Sequence, residues 1–487
     1  MAAPDDDIDL TTALRTVAFM GDLSMGQPID HSPRVASLAA ALAQQLGWGD
    51  AAMVQAQQIA LLRWSGCTAN AAEIADTISD DVAGRAAMLA LQFDKIEFQV
   101  QPEAIAQRAT LTSTIHCEVS SLIANALALD PAVADALGCV FEHWDGSGHP
   151  NGLHGEAIPA SAMVVTLCSE LEIFARVHGL PAALALMRQR ADRVYPASLV
   201  DIVCAHAAHW LSAIPAAPDS ADDPAATLTL KWDLIGHVID LKLPWLTGFS
   251  HSVVGLADAM AANLGLPAKR RATLRRAGWL QGLGRVAIPN AVWCRPGPLS
   301  TADWERVRLA PYWTSRAARQ VSPLAFEAEI ASQVYERLDG SGYFRASVQR
   351  GPAMDSGILA AAVAWVAMRS ERPWRPALSA EAAMSALQDD VKHQRLDPQV
   401  ISALASCVSP PQASTSPRAK ASTLLTAREL EVLQRISLGE SNKLAAQCLG
   451  ISPSTVRTHL ESAFKKLKCK TRAACTLQAS LLGLLDR

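Results

Sequence analysis

Strand-like alternation of apolar and polar residues is scarce in this chain of 487 residues, and aromatic residues make up only 5% of it. No apolar run reaches the roughly 18 residues that mark a membrane-spanning helix. The richest run, Gly357 to Met368, suits a buried helix better, so no membrane partner is expected. The 10 cysteines include no CxxC pair. That speaks against a zinc site or a disulfide frame and for the reduced thiols of a cytoplasmic protein. The opening Met1-Ala-Ala-Pro-Asp-Asp-Asp lacks a basic stretch followed by an apolar one, so no signal peptide is expected. Half of the residues are apolar and 18% are charged, an ordinary globular mix that excludes wholesale disorder. At this length two to four domains are expected.

What is present is uneven. The last 67 residues, from Ala421, carry ten Lys and Arg against five Asp and Glu, a balance of +5 in a chain whose net charge is −4; the rest therefore carries −9. A basic tail on an acidic body points to a tail that meets a polyanion. Two stretches rich in Pro, Ala, Ser or Asp, residues 212–227 and 409–423, read as linkers. They divide the chain into residues 1–211, 228–408 and 424–487. The first two parts read as helical: Val35, Leu38, Ala39, Leu42 and Leu46, and likewise Val253, Leu256, Ala257, Met260, Ala261 and Leu264, recur at helical spacing. They also echo each other. Asp145-Gly-Ser-Gly-His149 returns as Asp339-Gly-Ser-Gly-Tyr343, and a helix ending in Leu46-Gly47 returns as one ending in Leu264-Gly265, the mark of an internal duplication.

The tail is the most informative segment. Thr426-Ala-Arg-Glu429 is a capping box opening a helix with Leu430, Leu433 and Ile436 on one face. Gly439 ends it. Ser441 caps a short second helix, Gly450 makes the turn, and Ser452-Pro453 opens a third. The third helix buries Val456, Leu460, Phe464 and Leu467, and a fourth begins after Thr471. This is a helix-turn-helix whose third helix is the reader. Its apolar stripe turns Arg457, Thr458, Glu461 and Lys465 outward. Arginine reaches guanine O6 and N7 with two donors, and glutamate accepts from cytosine N4. Lys443, Thr455, Lys466 and Lys468 suit phosphate contacts. Against base reading by Glu461 stands an i,i+4 pair with Arg457. Against DNA binding as a whole stands a four-helix interaction module.

Leu425-Thr-Ala-Arg-Glu-Leu-Glu-Val-Leu433, Ser441-Asn-Lys-Leu-Ala445 and Ile451-Ser-Pro-Ser-Thr-Val-Arg-Thr-His-Leu460 closely resemble the LuxR-type DNA-binding domain. The resemblance runs without gaps over residues 424–487. It implies base reading by Arg457, Thr458 and Glu461, and dimerisation through the last helix on paired half-sites.

In the second part, Leu280-Gln-Gly-Leu-Gly-Arg-Val-Ala-Ile-Pro289, Arg295-Pro-Gly-Pro-Leu299, Asp339-Gly-Ser-Gly-Tyr343 and Glu371-Arg-Pro-Trp-Arg-Pro376 resemble the HD-GYP subgroup of HD-domain phosphohydrolases. The first part resembles it more weakly, through His31-Ser-Pro-Arg-Val35, Trp144-Asp-Gly-Ser-Gly-His-Pro150 and Gly155-Glu-Ala-Ile-Pro159. The family chemistry this implies is a metal-bound hydroxide attacking a phosphodiester, with His and Asp ligands and a nearby Lys. In the second part the His-Asp pair falls on Gln281 and Gly282, and the Lys on Arg285. The remaining positions fall on Phe249, Ala310, Val334, Tyr335 and Val363. In the first part the pair falls on Arg63 and Trp64, the Lys on Cys67, and further positions on Val140, Phe141 and Ser169. Only His31 and His116 keep the family residue.

Two histidines fall short of the three protein ligands a catalytic metal site needs. The expectation is therefore an all-α protein of two degenerate HD-like domains and a LuxR-type domain that regulates transcription. Double-stranded DNA, a small-molecule or nucleotide effector and a second copy of the chain are its expected partners. No cofactor, no metal and no enzymatic activity are expected. His31, His116, Arg63 and Arg285 are left as a vestigial pocket, with ordinary buried or structural side chains as the plainer reading. Two other classes stand beside this one. An active cyclic dinucleotide phosphodiesterase is opposed by the ligand positions, and a protein-interaction scaffold is opposed by the basic tail.

Overall fold

The computed structural model describes residues 7–214, 229–343, 354–408 and 424–485. Residues 409–423 and most of 212–227, the two expected linkers, lie outside the described residues. The fold is helical throughout. The only sheet among the described residues pairs Asp7–Asp9 with Thr229–Lys231. No described helix is long and apolar enough to cross a membrane. The chain divides into two compact units, one spanning Asp9–Leu230 with Pro289–Ala291, the other Lys231–Ile288 and the chain from Val292 onward.

In the first unit, Asp9 caps the helix Leu10–Ser24 by accepting from Thr12 N at 2.8 Å. The helix His31–Gln45 buries Val35, Leu38, Ala39 and Leu42, the face its spacing predicts. It packs against Asp50–Leu62 and Ala160–His178. Small residues set the approach: Ala39, Ala43, Ala56 and Ala60 are all buried between the helices. Each fully covered Leu here contributes about 1.5–3 kcal/mol.

The second unit repeats the plan with Asp233–Asp240, Phe249–Asn263, Ala268–Leu280, Ala310–Gln320 and Met354–Arg369. The duplication seen in the motifs extends to the hydrogen bonds. Asp22 accepts from Ser32 N at 3.0 Å and Ser32 Oγ at 2.6 Å; Asp240 accepts from Ser250 N at 2.9 Å and Ser250 Oγ at 2.8 Å. Gly66 N donates to Ser120 Oγ and Gly284 N to Thr314 Oγ1, each at 3.0 Å. Both glycines lie so close to a helix backbone, at His116 and at Ala310, that a Cβ would collide with its carbonyl. In both DGSG loops the Asp accepts from the Ser backbone at 2.9 Å, and Gly146 and Gly340 take positive φ.

The tail belongs to the second unit. Its last helix, Arg472–Leu481, packs against Asp233–Asp240. Thr247 Oγ1 donates to the Ser437 carbonyl at 2.8 Å. Gly439 sits so near Pro244 that a Cβ would meet its Cβ at 3.0 Å.

Candidate functional site

The tail's reading surface is fixed by local capping. Thr426 Oγ1 accepts from Glu429 N at 3.2 Å and Glu429 Oε2 accepts from Thr426 N at 2.7 Å, closing the capping box of Ala427–Ser437. Ser441 caps Asn442–Leu449, Gly450 turns at φ +66°, and Ser452 caps Pro453–Leu467 with Pro453 in its first turn. That third helix buries Val456, Leu460, Ala463 and Leu467. Phe464, expected in the stripe, is only half-buried; Ala463 takes the inward place because the helix turns slightly past the four-residue interval.

Arg457, Thr458, Glu461, Lys465 and Lys468 are exposed on this helix or at its end, as is Lys443 on the one before; Thr455 is half-buried. Arg457 Nε donates to Glu461 Oε1 at 2.7 Å. An exposed i,i+4 pair of this kind is weak, so both groups can trade it for base edges. Lys466 departs from expectation. Its ammonium donates to Glu429 Oε2 at 2.6 Å, while Ser462 Oγ donates to Glu429 Oε1 at 2.6 Å. It braces the reading helix against the first helix instead of standing out toward phosphate. Burial alone would raise the Glu429 carboxyl, but Lys466, Ser462 and Thr426 outweigh it and hold it down at about 2.

In the first unit the positions assigned above by resemblance do converge, each engaged with protein. His31 is fully buried, its Nδ1 2.7 Å from Glu172 Oε2 and its Nε2 3.4 Å from Ser169 Oγ. Arg34 and Arg176 also reach Glu172. Burial would raise that carboxyl; His31 and Arg176 overcome it and hold it at about 2. His116 Nε2 donates to the Arg63 carbonyl at 2.7 Å, which leaves Nδ1 to face Cys67 Sγ at 3.5 Å. Burial, with Arg85 and Arg63 nearby, lowers His116 to about 3, so it is neutral. Arg63 donates to Thr166 Oγ1 at 2.7 Å and stacks on Trp64 at 4.6 Å. Burial lowers its guanidinium to about 10. Beside His116 opens a largely apolar cavity of about 220 Å³, lined among others by Arg85, Arg108 and Phe141.

The centre of the second unit is arginine-filled. Arg285 Nη2 donates to Gln281 Oε1 at 2.8 Å and to Tyr335 Oη at 2.9 Å. It also lies 5.0 Å from the Phe249 ring centroid. Arg372 lies over Phe249 at 5.2 Å and over Trp245 at 4.4 Å. Burial, with Arg285 and Arg375 close by, lowers Arg372 to about 9. Asp240 is driven up by burial to about 7, against the pull of Ser250, Arg285 and Arg372. The guanidinium also explains Gly282, whose added Cβ would meet Arg285 Nη1 at 2.9 Å. Among the described residues no three His, Cys, Asp or Glu side chains gather as a metal-binding group. The side chains present at the family's ligand positions do not fit a metal.

Sequence reading missed three residues. Glu172 lies one turn beyond Ser169, and that spacing was its only signal. Asp22 and Asp240 carried none. Arg372 stood in the quoted Glu371–Pro376 run, but its meeting with Arg285 is a product of the fold.

Residues 233–400 match the HD domain family, and residues 423–479 match the bacterial regulatory proteins of the luxR family. The chain joins an HD domain to a C-terminal LuxR-family domain. Over an alignment of 434 residues the chain is 26% identical to the 3′3′-cGAMP-specific phosphodiesterase 3 of Vibrio cholerae serotype O1, covering 82% of this chain and 92% of that protein. A crystal structure of cyclic GMP-AMP specific phosphodiesterases in V. cholerae shares the fold with a TM-score of 0.59. The sequences there are 23% identical, over 84% of this chain and 100% of that one. The LuxR-family domain is 44% identical over 63 residues to a probable transcriptional regulatory protein NarL of Mycobacterium tuberculosis, 13% of this chain and 29% of that protein.

These relatives correct one expectation. The missing ligand residues argued that the chain is no enzyme, yet a relative matching most of it is a phosphodiesterase. The comparisons point to an HD phosphohydrolase, and the inactive-enzyme reading is withdrawn. The ligand positions say which side chains are present there and do not by themselves decide activity.

Proposed function

We propose that the chain is a sequence-specific DNA-binding regulator whose HD-type body takes a cyclic dinucleotide as its ligand. The observation that carries the DNA half is one solvent face of Pro453–Leu467, where Arg457, Thr458 and Glu461 stand together on a capped, glycine-turned helix pair. The ligand half is supported by the extent of the match to a cyclic dinucleotide phosphodiesterase. The two halves are linked thermodynamically: a ligand that favours one arrangement of the body changes DNA affinity by its preference between arrangements. Binding is as a homodimer on a two-fold site. The phosphodiesterase relative favours a second reading, in which the body also hydrolyses its ligand.

Selection from random duplex DNA over a salt series tests the first half. A two-fold motif that weakens steeply with salt is expected, and its loss in Arg457→Ala. An unchanged selection in that variant overturns the reading-helix assignment. Incubating the full chain with 3′3′-cGAMP separates the rest. Retention of intact dinucleotide supports a ligand, cleavage supports the second reading, and the absence of both retention and cleavage overturns the ligand half.

A further inference from the structure

The cavity of about 220 Å³ in the first unit is walled by the helices Ala71–Ile78 and Ala83–Leu89 and by the stretch from Ile105 to His116 of the helix Pro102–Ala126. Ile74, Met88, Leu89 and Ile105 line it and stay only half-buried, and Phe98 at its mouth is 38% exposed. The buried polar groups of the wall turn their hydrogen bonds to protein. Arg85 donates through Nη1 to the Ser24 and Cys67 carbonyls and through Nη2 to Asn70 Oδ1. Asn70 Nδ2 donates to the Thr112 carbonyl, and Thr112 Oγ1 to the Arg108 carbonyl. His116 has given its ring N–H to Arg63. Arg108 itself is half-buried and close enough to Glu73 for its charge to favour the ionised carboxylate. The matching corner of the second unit, beside Ala310, is built differently. There Ile288, Val292 and Val307 form a core on which Trp293 and Leu299 pack.

Water held in a cavity needs about two to four polar partners, and an apolar cavity without them stays dry. A phosphate or carboxylate asks for more, because donors must replace its lost hydration. The Arg85 guanidinium, already held by three oxygens, is poorly placed to supply them. Hydrocarbon gains from such a wall through dispersion and through leaving water. Two thioethers in it, Met25 and Met88, can adapt their shape to what enters. A dry cavity of about 150 Å³ takes up benzene, so this one has room for a ring with a short substituent.

We propose that the first unit binds an uncharged, mainly hydrocarbon small molecule in this cavity, a ligand chemically unlike the cyclic dinucleotide proposed for the body. The site stands whether or not the dinucleotide reading holds.

The test uses the full chain in calorimetric titration and thermal shift with three probes: ethylbenzene, benzoate as a charged counterpart of similar size, and 3′3′-cGAMP. Ethylbenzene is expected to bind once per chain and to raise the melting temperature, with benzoate at least tenfold weaker. Ala109→Leu and Ser113→Leu each put a larger apolar side chain into the cavity from one face of the same helix. Each is expected to weaken ethylbenzene at least tenfold, and Ala109→Leu to melt no lower than wild type without ligand. Hydrogen exchange on wild type locates the bound molecule without any variant: ethylbenzene should slow exchange in Ala83–Leu89. Slowing confined to other elements, or binding unchanged in both variants, overturns the site. Benzoate binding more tightly than ethylbenzene, or 3′3′-cGAMP displacing it, overturns the chemistry. Failure of wild type to bind ethylbenzene overturns the proposal and leaves the dinucleotide reading as it was.

Discussion

Arg457 and Glu461 illustrate how one side chain can serve two states. Without DNA they hold each other at the helix surface, and their exposure makes the pair nearly free to break. Arg457→Ala is therefore expected to leave the melting temperature unchanged within error while costing about 1–3 kcal/mol of DNA affinity, roughly 5- to 150-fold, in a gel-shift titration. Glu429 behaves oppositely. Its folded value of about 2 lies below the usual carboxylate value of 4.5. A depressed carboxyl contributes stability that is whole above about 4.5 and is lost as pH falls toward 2. Acid unfolding of the tail, followed by circular dichroism, should steepen in that window and lose the steepness in Glu429→Gln. Residues like Arg457 were legible in the sequence because a helix face is a matter of spacing. The bond from Lys466 to Glu429 was not legible, since spacing says which face a residue occupies and not which carboxylate crosses to meet it.

At the scale of elements, the caps and glycine turns of the tail were legible because they are local: a Thr, Ser or Gly acts on a backbone only a few residues away. The DGSG echo was legible too, as a repeated string. What stayed hidden was contact across long separations, such as His31 with Glu172, 141 residues apart. The paired glycines Gly66 and Gly284 are the clearest shared device of the two units. Gly284→Ala would push a Cβ into the Ala310 carbonyl, with no flexible side chain to yield. The expected cost is about 3 kcal/mol, at the upper end for overpacking, read as a lowered midpoint in urea. Gly47→Ala gives the control for a surface glycine. No atom lies near its Cβ, so its cost is limited to the strain of a positive φ of 73°.

For the whole molecule, the decisive fact is that the LuxR-family tail rests on the HD domain through Thr247–Ser437, Pro244–Gly439 and the last helix. Nothing in the sequence announced this, because each contact joins residues that are unremarkable alone. The last helix is the one the LuxR resemblance assigns to dimerisation, so in the proposed DNA-bound dimer it would have to leave the dock. Thr247→Val removes one hydrogen bond worth about 0.5–1.5 kcal/mol. It should tighten binding to a two-fold site several-fold while leaving an isolated half-site unchanged, as read by fluorescence anisotropy on both duplexes. Trp245, against Arg372, lies between Pro244 and Thr247 in the chain, so the arginine centre and the dock share one short turn, Pro244–Leu246.

The dock leaves the base-reading face of Pro453–Leu467 untouched. Whatever free energy it holds is subtracted equally from every two-fold site the proposed dimer can meet, whatever its sequence. It would therefore act as a volume control and not a tuner: changing it should make all two-fold sites stronger or weaker together, while the rank order proposed to be set by Arg457, Thr458 and Glu461 stays as it was.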